Sequence, residues 1–104
     1  MASTELTIDE ESVDGVSKLI LKGRITSFSA SILQYKLDDV LASGQTNIVI
    51  NMMQVGFLSS AGIRVLLMYF KKAKEMSGSL HIENPSENVV NVLGMTALDE
   101  MLLN

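Results

Sequence analysis

The sequence predicts an α/β fold in which a mixed, mostly parallel β-sheet packs against α-helices. Three observations support this prediction: two strand patterns flank a turn signal near the N-terminus, an unbroken apolar run lies in the middle of the chain, and amphipathic helix patterns alternate with the later strands. The predicted order is ββαβαβα with an appended C-terminal segment. Because helices separate the later strands, we expect these strands to run parallel through right-handed crossovers, with the first hairpin as an antiparallel edge.

The N-terminal hairpin is predicted from alternation and from a turn signal. Leu6 and Ile8 alternate with polar residues, and a second strand pattern over 16–22 follows the Asp-Gly pair at 14–15. The acidic run 9–11 is interpreted as part of a solvated turn rather than a metal site, because it lacks the ligand spacing and the glycine of a calcium-binding loop.

The first helix and the central strand follow this hairpin. Residues 23–27 are expected to form a turn, with Ser29 as the N-cap of the helix and Gly44 as its stop. The apolar stripe of this helix consists of Leu33, Leu37, Val40 and Leu41. Residues 48–50 are an unbroken apolar run, which is typical of a strand buried on both faces.

The second helix is predicted to begin at Ser59 or Ser60 and to stop at a left-handed Gly78. Its core face is predicted from the i, i+3, i+4, i+7 spacing of Ile63, Leu66, Leu67 and Phe70. Val65 and Met68 would then form an exposed apolar patch, either for a partner or for the last helix. Three elements complete the chain: a strand over 80–83, a short helix over 87–93 and an apolar segment over 97–103.

Composition and charge narrow the range of functions. The 104 residues are expected to form one domain, 1–104, and they carry a net charge of −4. This charge disfavours nucleic acid and anionic membranes as partners, because both attract basic surfaces, and it favours a protein partner. There is no cysteine, no apolar run near 20 residues and no signal-peptide pattern, so we expect a cytoplasmic protein without thiolate chemistry.

Motifs for catalysis are missing from the sequence. It contains no GxGxxG, GxxxxGK[ST], HExxH or GxSxG pattern. Its one histidine, His81, lies between Leu80 and Ile82 in a strand pattern, and we expect its side chain to point away from the core. A lone histidine without a paired base or a second ligand defines no site. We therefore predict no enzyme activity, no cofactor and no metal site.

Two adjacent serines at the start of the second helix are the candidate functional residues. A phosphate at this place would meet unpaired backbone N–H groups and the positive end of the helix dipole. Serine is also a preferred N-cap for its own sake, so a capping role alone is the alternative for Ser59 and Ser60. Met52 and Met53, in the loop expected before the serines, are flexible apolar side chains that suit a partner surface.

The stretch 55–63, VGFLSSAGI, follows a buried strand pattern and opens a helix, and it resembles the signature of STAS domains. Within that family it is most similar to the stand-alone bacterial anti-sigma factor antagonists. The length, the element order and a glycine-containing turn after the second strand are also similar, so the resemblance covers nearly the whole chain. It implies a STAS-like mixed sheet with packed helices.

The resemblance also implies site residues. Ser60 falls on the phosphoacceptor position, with Ser59 as the second choice, and Gly62 falls on the family's glycine. The family's aspartate before the phosphoacceptor is replaced by Ser59, and its frequent Gly-Glu-Leu-Asp turn is replaced by residues 23–26, GRIT. Gly62 is either an ordinary residue of a first helical turn or an opening for a partner's backbone. The complete predicted partner surface is Gly23, Arg24, Thr26, Met52, Met53, Ser59, Ser60 and Gly62.

The mechanism that the resemblance implies is a partner switch in a monomer or weak dimer. The unphosphorylated protein would bind a serine-kinase anti-sigma factor and free its client, phosphorylation of Ser60 would release the complex, and a serine phosphatase would reset it. Two alternatives stay open. One is a phosphorylation-independent STAS interaction subunit, and the other is an enzyme or small-anion carrier that uses the amides of Ser59, Ser60 and Gly62 as an anion hole.

Overall fold

A computed structural model describes residues 5–103 of the chain. The elements are β1 (Leu6–Val13), β2 (Val16–Ile25), α1 (Ala30–Ala42), β3 (Asn47–Leu58), α2 (Ser60–Glu75), β4 (Ser79–Glu83), α3 (Glu87–Met95) and α4 (Asp99–Leu103). The predicted order ββαβαβα is confirmed, and the apolar C-terminal segment forms α4.

The sheet has the strand order β1-β2-β3-β4. Strands β1 and β2 are antiparallel, whereas β3 runs parallel to both of its neighbours. Asp14 and Gly15 join the first two strands with positive φ angles of 52° and 79°, as expected for a two-residue hairpin turn whose twist matches the strands. The predicted mixed sheet with an antiparallel N-terminal edge is confirmed.

One face of this sheet and all four helices form a single core. Ile48 and Ile50 of β3 are fully buried in that core, but Val49 between them is only half-buried on the opposite face. There Lys18 Nζ of β2 lies 2.8 Å from Glu83 Oε2 of β4, so an ion pair spans β3. The prediction that the central strand is buried on both faces is therefore wrong, because the helices cover one face only.

Strands β2 and β3 are longer than predicted and extend to the end of the sheet where α2 begins. Residues 23–25, predicted as a turn, pair with β3, and residues 51–58, predicted as a loop, are strand. Gly23 has a φ of +117°, and a Cβ there would lie 2.1 Å from the carbonyl oxygen of Glu5. Only glycine fits this conformation and close contact, so Gly23 is required by the fold.

The acidic run 9–11 lies in β1, not in a turn as predicted. Glu10 faces β2 and α1: Ser17 Oγ donates to its carboxylate at 3.1 Å, and Lys36 Nζ lies 2.6 Å away. The Lys36 ammonium holds the pKa of the Glu10 carboxyl below its ordinary value. The acidic run therefore forms a strand, because its backbone pairs with β2 and the Glu10 carboxylate pairs with Lys36 of α1.

The core face of α2 is rotated from the predicted one. The buried residues are Gly62, Val65, Leu66, Tyr69 and Ala73, whereas the predicted Ile63, Leu67 and Phe70 are partly exposed. Val65 is only 5% exposed, so the predicted Val65–Met68 patch is wrong. Tyr69 explains the rotation, because its ring is buried while its hydroxyl donates to Asp38 of α1.

The ends of the two long helices also differ in detail from expectation. Gly44 follows α1 with a φ of +94°, as predicted. After α2 the left-handed residue is Ser77, with a φ of 62°, and not the predicted Gly78. A Cβ on Gly78 would lie 1.9 Å from the carbonyl oxygen of Thr46, so this glycine serves the close approach of two chain segments.

Candidate functional site

Ser59 is the N-cap of α2. It has extended backbone angles, and its Oγ accepts a hydrogen bond from the Gly62 N–H at 3.2 Å, which satisfies one of the free amides of the first turn. Its own N–H donates to the carbonyl of Ile25 at 2.9 Å, which joins the helix start to the end of β2. The predicted capping role of Ser59 is confirmed.

Ser60 is the first residue of α2, and its side chain is exposed. Among the residues that the structure describes, none forms a hydrogen bond with its hydroxyl. A hydroxyl that is exposed and unbonded can enter the active site of another enzyme without breaking any contact of the fold. The two adjacent serines therefore differ: the Ser59 hydroxyl is hydrogen-bonded in the helix cap, whereas the Ser60 hydroxyl is exposed and unbonded.

The turn between β2 and α1 is held by two hydroxyls. Thr26 Oγ1 accepts from the N–H groups of Phe28 at 3.2 Å and of Ser29 at 3.1 Å. Ser29 Oγ accepts from the Thr26 N–H at 2.8 Å and donates to the Arg24 carbonyl at 2.6 Å. Ser29 occupies the N-cap position of α1 but makes no side-chain cap, because its hydroxyl stabilises this turn instead.

Three large apolar side chains are exposed on the segments that lead to this end of the sheet: Phe28 in the turn after β2, and Met53 and Phe57 on β3. We call them the apolar rim. Phe28 is 82% exposed and Met53 is 60% exposed. The Arg24 guanidinium carbon lies 4.9 Å from the centroid of the Phe57 ring, a distance typical of a cation–π contact. Large exposed apolar side chains on neighbouring segments are typical of a protein-binding surface.

Phe28 and Phe57 are not among the residues predicted from the sequence to contact a partner. The signal was present, because a chain with only 5% aromatic residues places one beside the predicted turn and one just before the serines. Phenylalanine next to predicted polar turns is a candidate for contact with a partner.

Met52 and Gly62 were predicted to contact a partner, and both predictions are wrong. Met52 is fully buried, because 51–58 is strand and its side chain enters the core, while Met53 points outward. Gly62 is buried too: a Cβ there would lie 2.6 Å from Ile25 Cγ2 and 2.8 Å from Leu58 Cδ1. Its missing side chain lets α2 approach the sheet and does not open a path for a partner.

The structure joins the end of β2 to the start of α2, where most of the remaining predicted residues lie. Arg24 pairs with Phe57 and Ile25 with Leu58 in the β2–β3 ladder. Gly23 and Arg24 therefore lie at the end of β2, and Thr26 directly follows it, beside the start of α2. Two of them have fold-maintaining contacts, since Gly23 faces a backbone carbonyl and the Thr26 hydroxyl accepts backbone amides. Arg24, Met53 and Ser60 are exposed.

The chemistry available at this site is limited. Within residues 5–103 no histidine or carboxylate forms a hydrogen bond with Ser60, and no three histidine, aspartate or glutamate side chains converge where they could hold a metal ion. The Gly62 N–H already donates to Ser59 Oγ and the Ser59 N–H to the Ile25 carbonyl, so two of the three amides of the anion hole considered above are occupied. What the arrangement offers is a hydroxyl that another protein can modify.

His81 lies elsewhere, half-buried on β4, on the face opposite Leu80 and Ile82. It borders a cleft of about 560 Å³ together with Phe70, Lys74 and Met101. This cleft contains none of the predicted site residues. In the part of the chain covered by the structure, no helix is long and apolar enough to cross a membrane.

Comparisons with known proteins agree with this architecture. The anti-sigma-B factor antagonist of Bacillus subtilis (strain 168) is 27% identical over 97 residues, which are 93% of this chain and 88% of that protein. The crystal structure of an anti-sigma factor antagonist from Mycobacterium paratuberculosis superposes with a TM-score of 0.78 at 26% identity, over 98% of this chain and 87% of that one.

Bacillus SpoIIAA has the same fold at lower identity. Its unphosphorylated form, an anti-sigma factor antagonist, gives a TM-score of 0.81 at 20% identity, over 93% of this chain and 86% of that one. Its phosphorylated form gives 0.74 at 19% identity, over 93% and 89%. The model of the STAS domain family matches residues 7–104, and the chain therefore belongs to the STAS domain family.

Proposed function

We propose that this protein is an anti-sigma factor antagonist that acts as a partner switch controlled by phosphorylation of Ser60. The unphosphorylated form binds a serine-kinase anti-sigma factor and frees its client, and phosphorylation releases the complex. The observation that carries this proposal is the exposed, unbonded Ser60 hydroxyl, three residues after Phe57 of the apolar rim. Relatives named as anti-sigma factor antagonists, and a protein of the same fold that has a phosphorylated form, support it.

The switch follows from the physics of the surface. A phosphoserine brings about −1.5 to −2 charges and three acceptor oxygens to the start of α2, on the surface that we assign to the partner together with Phe28 and Phe57. An unpaired charge left buried in such an interface costs about 3 to 5 kcal/mol. At about 1.4 kcal/mol per decade, the affinity falls by roughly two to three and a half powers of ten. Release therefore requires no refolding of the domain.

This chain contributes the acceptor hydroxyl, and the kinase contributes the phosphoryl-transfer chemistry: a base that positions the serine, magnesium and ATP. A serine phosphatase resets the switch. The Ser59 cap keeps the start of α2 in place during both reactions, because its hydrogen bond to Gly62 does not involve the hydroxyl of Ser60.

Mass spectrometry with candidate anti-sigma kinases and ATP tests the modification. We expect the protein to gain the mass of one phosphate, located on Ser60 by fragmentation. Ser60→Ala should abolish the gain, whereas Ser59→Ala, the matched control, should keep it at a cost of about 1 kcal/mol of stability from the lost cap. A gain that survives Ser60→Ala, or a kinase that binds the protein without phosphorylating it, contradicts the proposal.

A phosphorylation-independent STAS interaction subunit is the second candidate function. Ser59 and Thr26 stand where the family has acids, and both have structural roles: Ser59 caps the helix and Thr26 stabilises the turn. The loss of these acids favours a subunit that is not phosphorylated. The two candidates differ in the affinity of the Ser60→Asp variant for the partner. A loss of affinity relative to Ser60→Asn supports the switch, and equal affinities support the permanent subunit.

A further inference from the structure

The two arginines of the chain, Arg24 and Arg64, lie on the two elements that meet near Ser60, β2 and α2. Arg24 lies at the end of β2, next to Ile25, whose carbonyl accepts the N–H of Ser59. Arg64 lies four residues after Ser60 on α2, and residues at this spacing have Cβ atoms about 5–6 Å apart on the same helix face. Both arginine side chains are exposed, as is Ser60.

Neither arginine has an anionic partner. Within the described part of the chain, the ion pairs join Lys18 to Glu83 and Lys36 to Glu10, and neither involves an arginine. Arg24 contacts only the face of the Phe57 ring through its guanidinium. Within the described residues, neither guanidinium is therefore neutralised by a carboxylate.

We propose that Arg24 and Arg64 form an intramolecular clamp that binds the phosphate of phosphorylated Ser60. The inference rests on the proposed phosphorylation of Ser60 and adds which residues bind the phosphate once it is attached. Arginine suits this role because its planar fork of N–H donors matches the oxygens of a phosphate and stays charged at every physiological pH. A phosphate on a serine can form one to three such charge-assisted hydrogen bonds.

The clamp changes the surface in a second way. In the unphosphorylated protein the Arg24 guanidinium covers one face of Phe57, in the apolar rim that we assign to the partner. When Arg24 turns to the phosphate, this contact is lost. The face of the Phe57 ring is then uncovered, and the guanidinium charge moves from the rim to the phosphate. The phosphorylated form then differs from the unphosphorylated one in the position of Arg24 as well as in charge.

The charged neighbours of the clamp determine how it must be tested. Glu5 adjoins Arg24 through a backbone hydrogen bond, in which the Arg24 N–H donates to the Glu5 carbonyl at 2.7 Å. Lys22 precedes Arg24 on β2, and Lys71 and Lys72 follow Arg64 on α2. These lysines carry the same charge as the arginines. Lys22 is two residues further from the end of β2 than Arg24, and Lys71 and Lys72 are more than ten residues from Ser60 on α2, so they supply matched controls.

Phosphorus NMR on protein with phosphoserine incorporated at position 60 during synthesis tests the clamp directly, without any kinase. The second pKa of free phosphoserine is about 6, and we expect a lower value in the wild-type protein. Arg24→Gln and Arg64→Gln should each raise it, and the double variant should raise it by on the order of 0.5 to 1 pH unit. Lys22→Gln and Lys71→Gln should have much smaller effects.

Two results would overturn the clamp: a phosphate pKa that is unchanged in the double arginine variant, or one that changes as much with the lysine controls. Circular dichroism of each variant confirms that it is folded. This outcome is distinct from a failure of the proposed function. A protein that no kinase phosphorylates can still show the clamp in the titration, and a protein phosphorylated at Ser60 can lack it.

Discussion

Neighbouring residues at the start of α2 have separate roles that their shared sequence motif does not reveal. Ser59 caps the helix, Ser60 is exposed, and Gly62 packs against the core. The division follows from the helix geometry. The N-cap side chain turns back to the first-turn amides, the first helical residue points to solvent, and the third helical residue faces Ile25 and Leu58.

A substitution at Gly62 tests the packing role. We expect Gly62→Ala to lower the free energy of unfolding by roughly 1 kcal/mol, because overpacking costs about 1–3 kcal/mol and the better helix propensity of alanine returns up to about 1 kcal/mol. Ile25 is fully buried and cannot move away from the new methyl group. Urea denaturation measures the change.

Gly94→Ala is the matched control for this substitution. Gly94 lies in α3, and a Cβ there would meet no atom within 4 Å, so alanine should stabilise the protein by about 0.5–1 kcal/mol. If Gly62→Ala is as stable as Gly94→Ala, the contact of α2 with Ile25 and Leu58 is not tight, and the assignment of Gly62 to the core is wrong.

At the scale of elements, α1 and α2 are joined by a hydrogen bond from the hydroxyl of Tyr69 to Asp38. Burial of Tyr69, reinforced by the Asp38 carboxylate, raises the pKa of the phenol to about 12, above its ordinary value of about 10. The folded protein thus favours the neutral phenol. The stability that this contributes is complete below about pH 10 and is lost as the pH rises toward 12.

The alkaline titration of Tyr69 can be measured by ultraviolet absorbance. The chain has two tyrosines, so in a Tyr35→Phe background the tyrosinate signal comes from Tyr69 alone. We expect its midpoint near pH 12 in the folded protein, with stability falling above about pH 10. A midpoint near 10 in protein that is still folded would contradict the buried hydrogen bond.

Tyr69→Phe gives an independent measure of the same contact. Loss of the hydrogen bond to the charged Asp38 should reduce the free energy of unfolding by about 1–2 kcal/mol near neutral pH. The difference from wild type should shrink as the pH rises from about 10 toward 12, because the wild-type phenol then ionises and loses its advantage. Chemical denaturation at neutral and alkaline pH measures this.

At the scale of the whole molecule, the domain is flat, with extents of 35 × 34 × 20 Å, because helices cover one face of the sheet only. The partner switch that we propose lies at one end of this slab, where β2 and β3 end and α2 begins. Parallel pairing of β2 with β3 brings together residues more than 30 positions apart in the chain, such as Arg24 and Phe57. The surface is therefore a product of the fold.

The apolar rim can be tested by binding. Phe28 is 82% exposed, so Phe28→Ser should change stability by no more than about 0.5 kcal/mol. If the rim contacts the anti-sigma factor, the affinity should fall at least about tenfold, since a buried aromatic anchor typically contributes more than about 1 kcal/mol. Isothermal titration calorimetry measures the affinity, with an anti-sigma factor that co-purifies with the wild-type protein as the partner.

Tyr35→Ser supplies the control for that measurement. Tyr35 is an aromatic residue of α1 that is 72% exposed, outside the rim, and its replacement should leave the affinity unchanged. Equal affinities for wild type and Phe28→Ser, or equal losses for Phe28→Ser and Tyr35→Ser, would show that the rim is not the contact surface.

The sequence by itself determined the element order, the N-terminal hairpin and the start of α2 at the two serines. These features depend on local physics: alternation, helix periodicity, an Asp-Gly turn and serine capping. That residues 1–104 form one domain and that Ser60 is phosphorylated stay predictions, which the experiments above address.

Only the tertiary structure decided which of the candidate residues face a partner. Met52 and Gly62 enter the core, Gly23 and Thr26 maintain the backbone, and α2 presents a different stripe to the sheet than its periodicity predicted. The physical reason is that burial at these positions depends on non-local strand pairing and on the contact of α2 with α1 and the sheet. Local patterns contain no information about either.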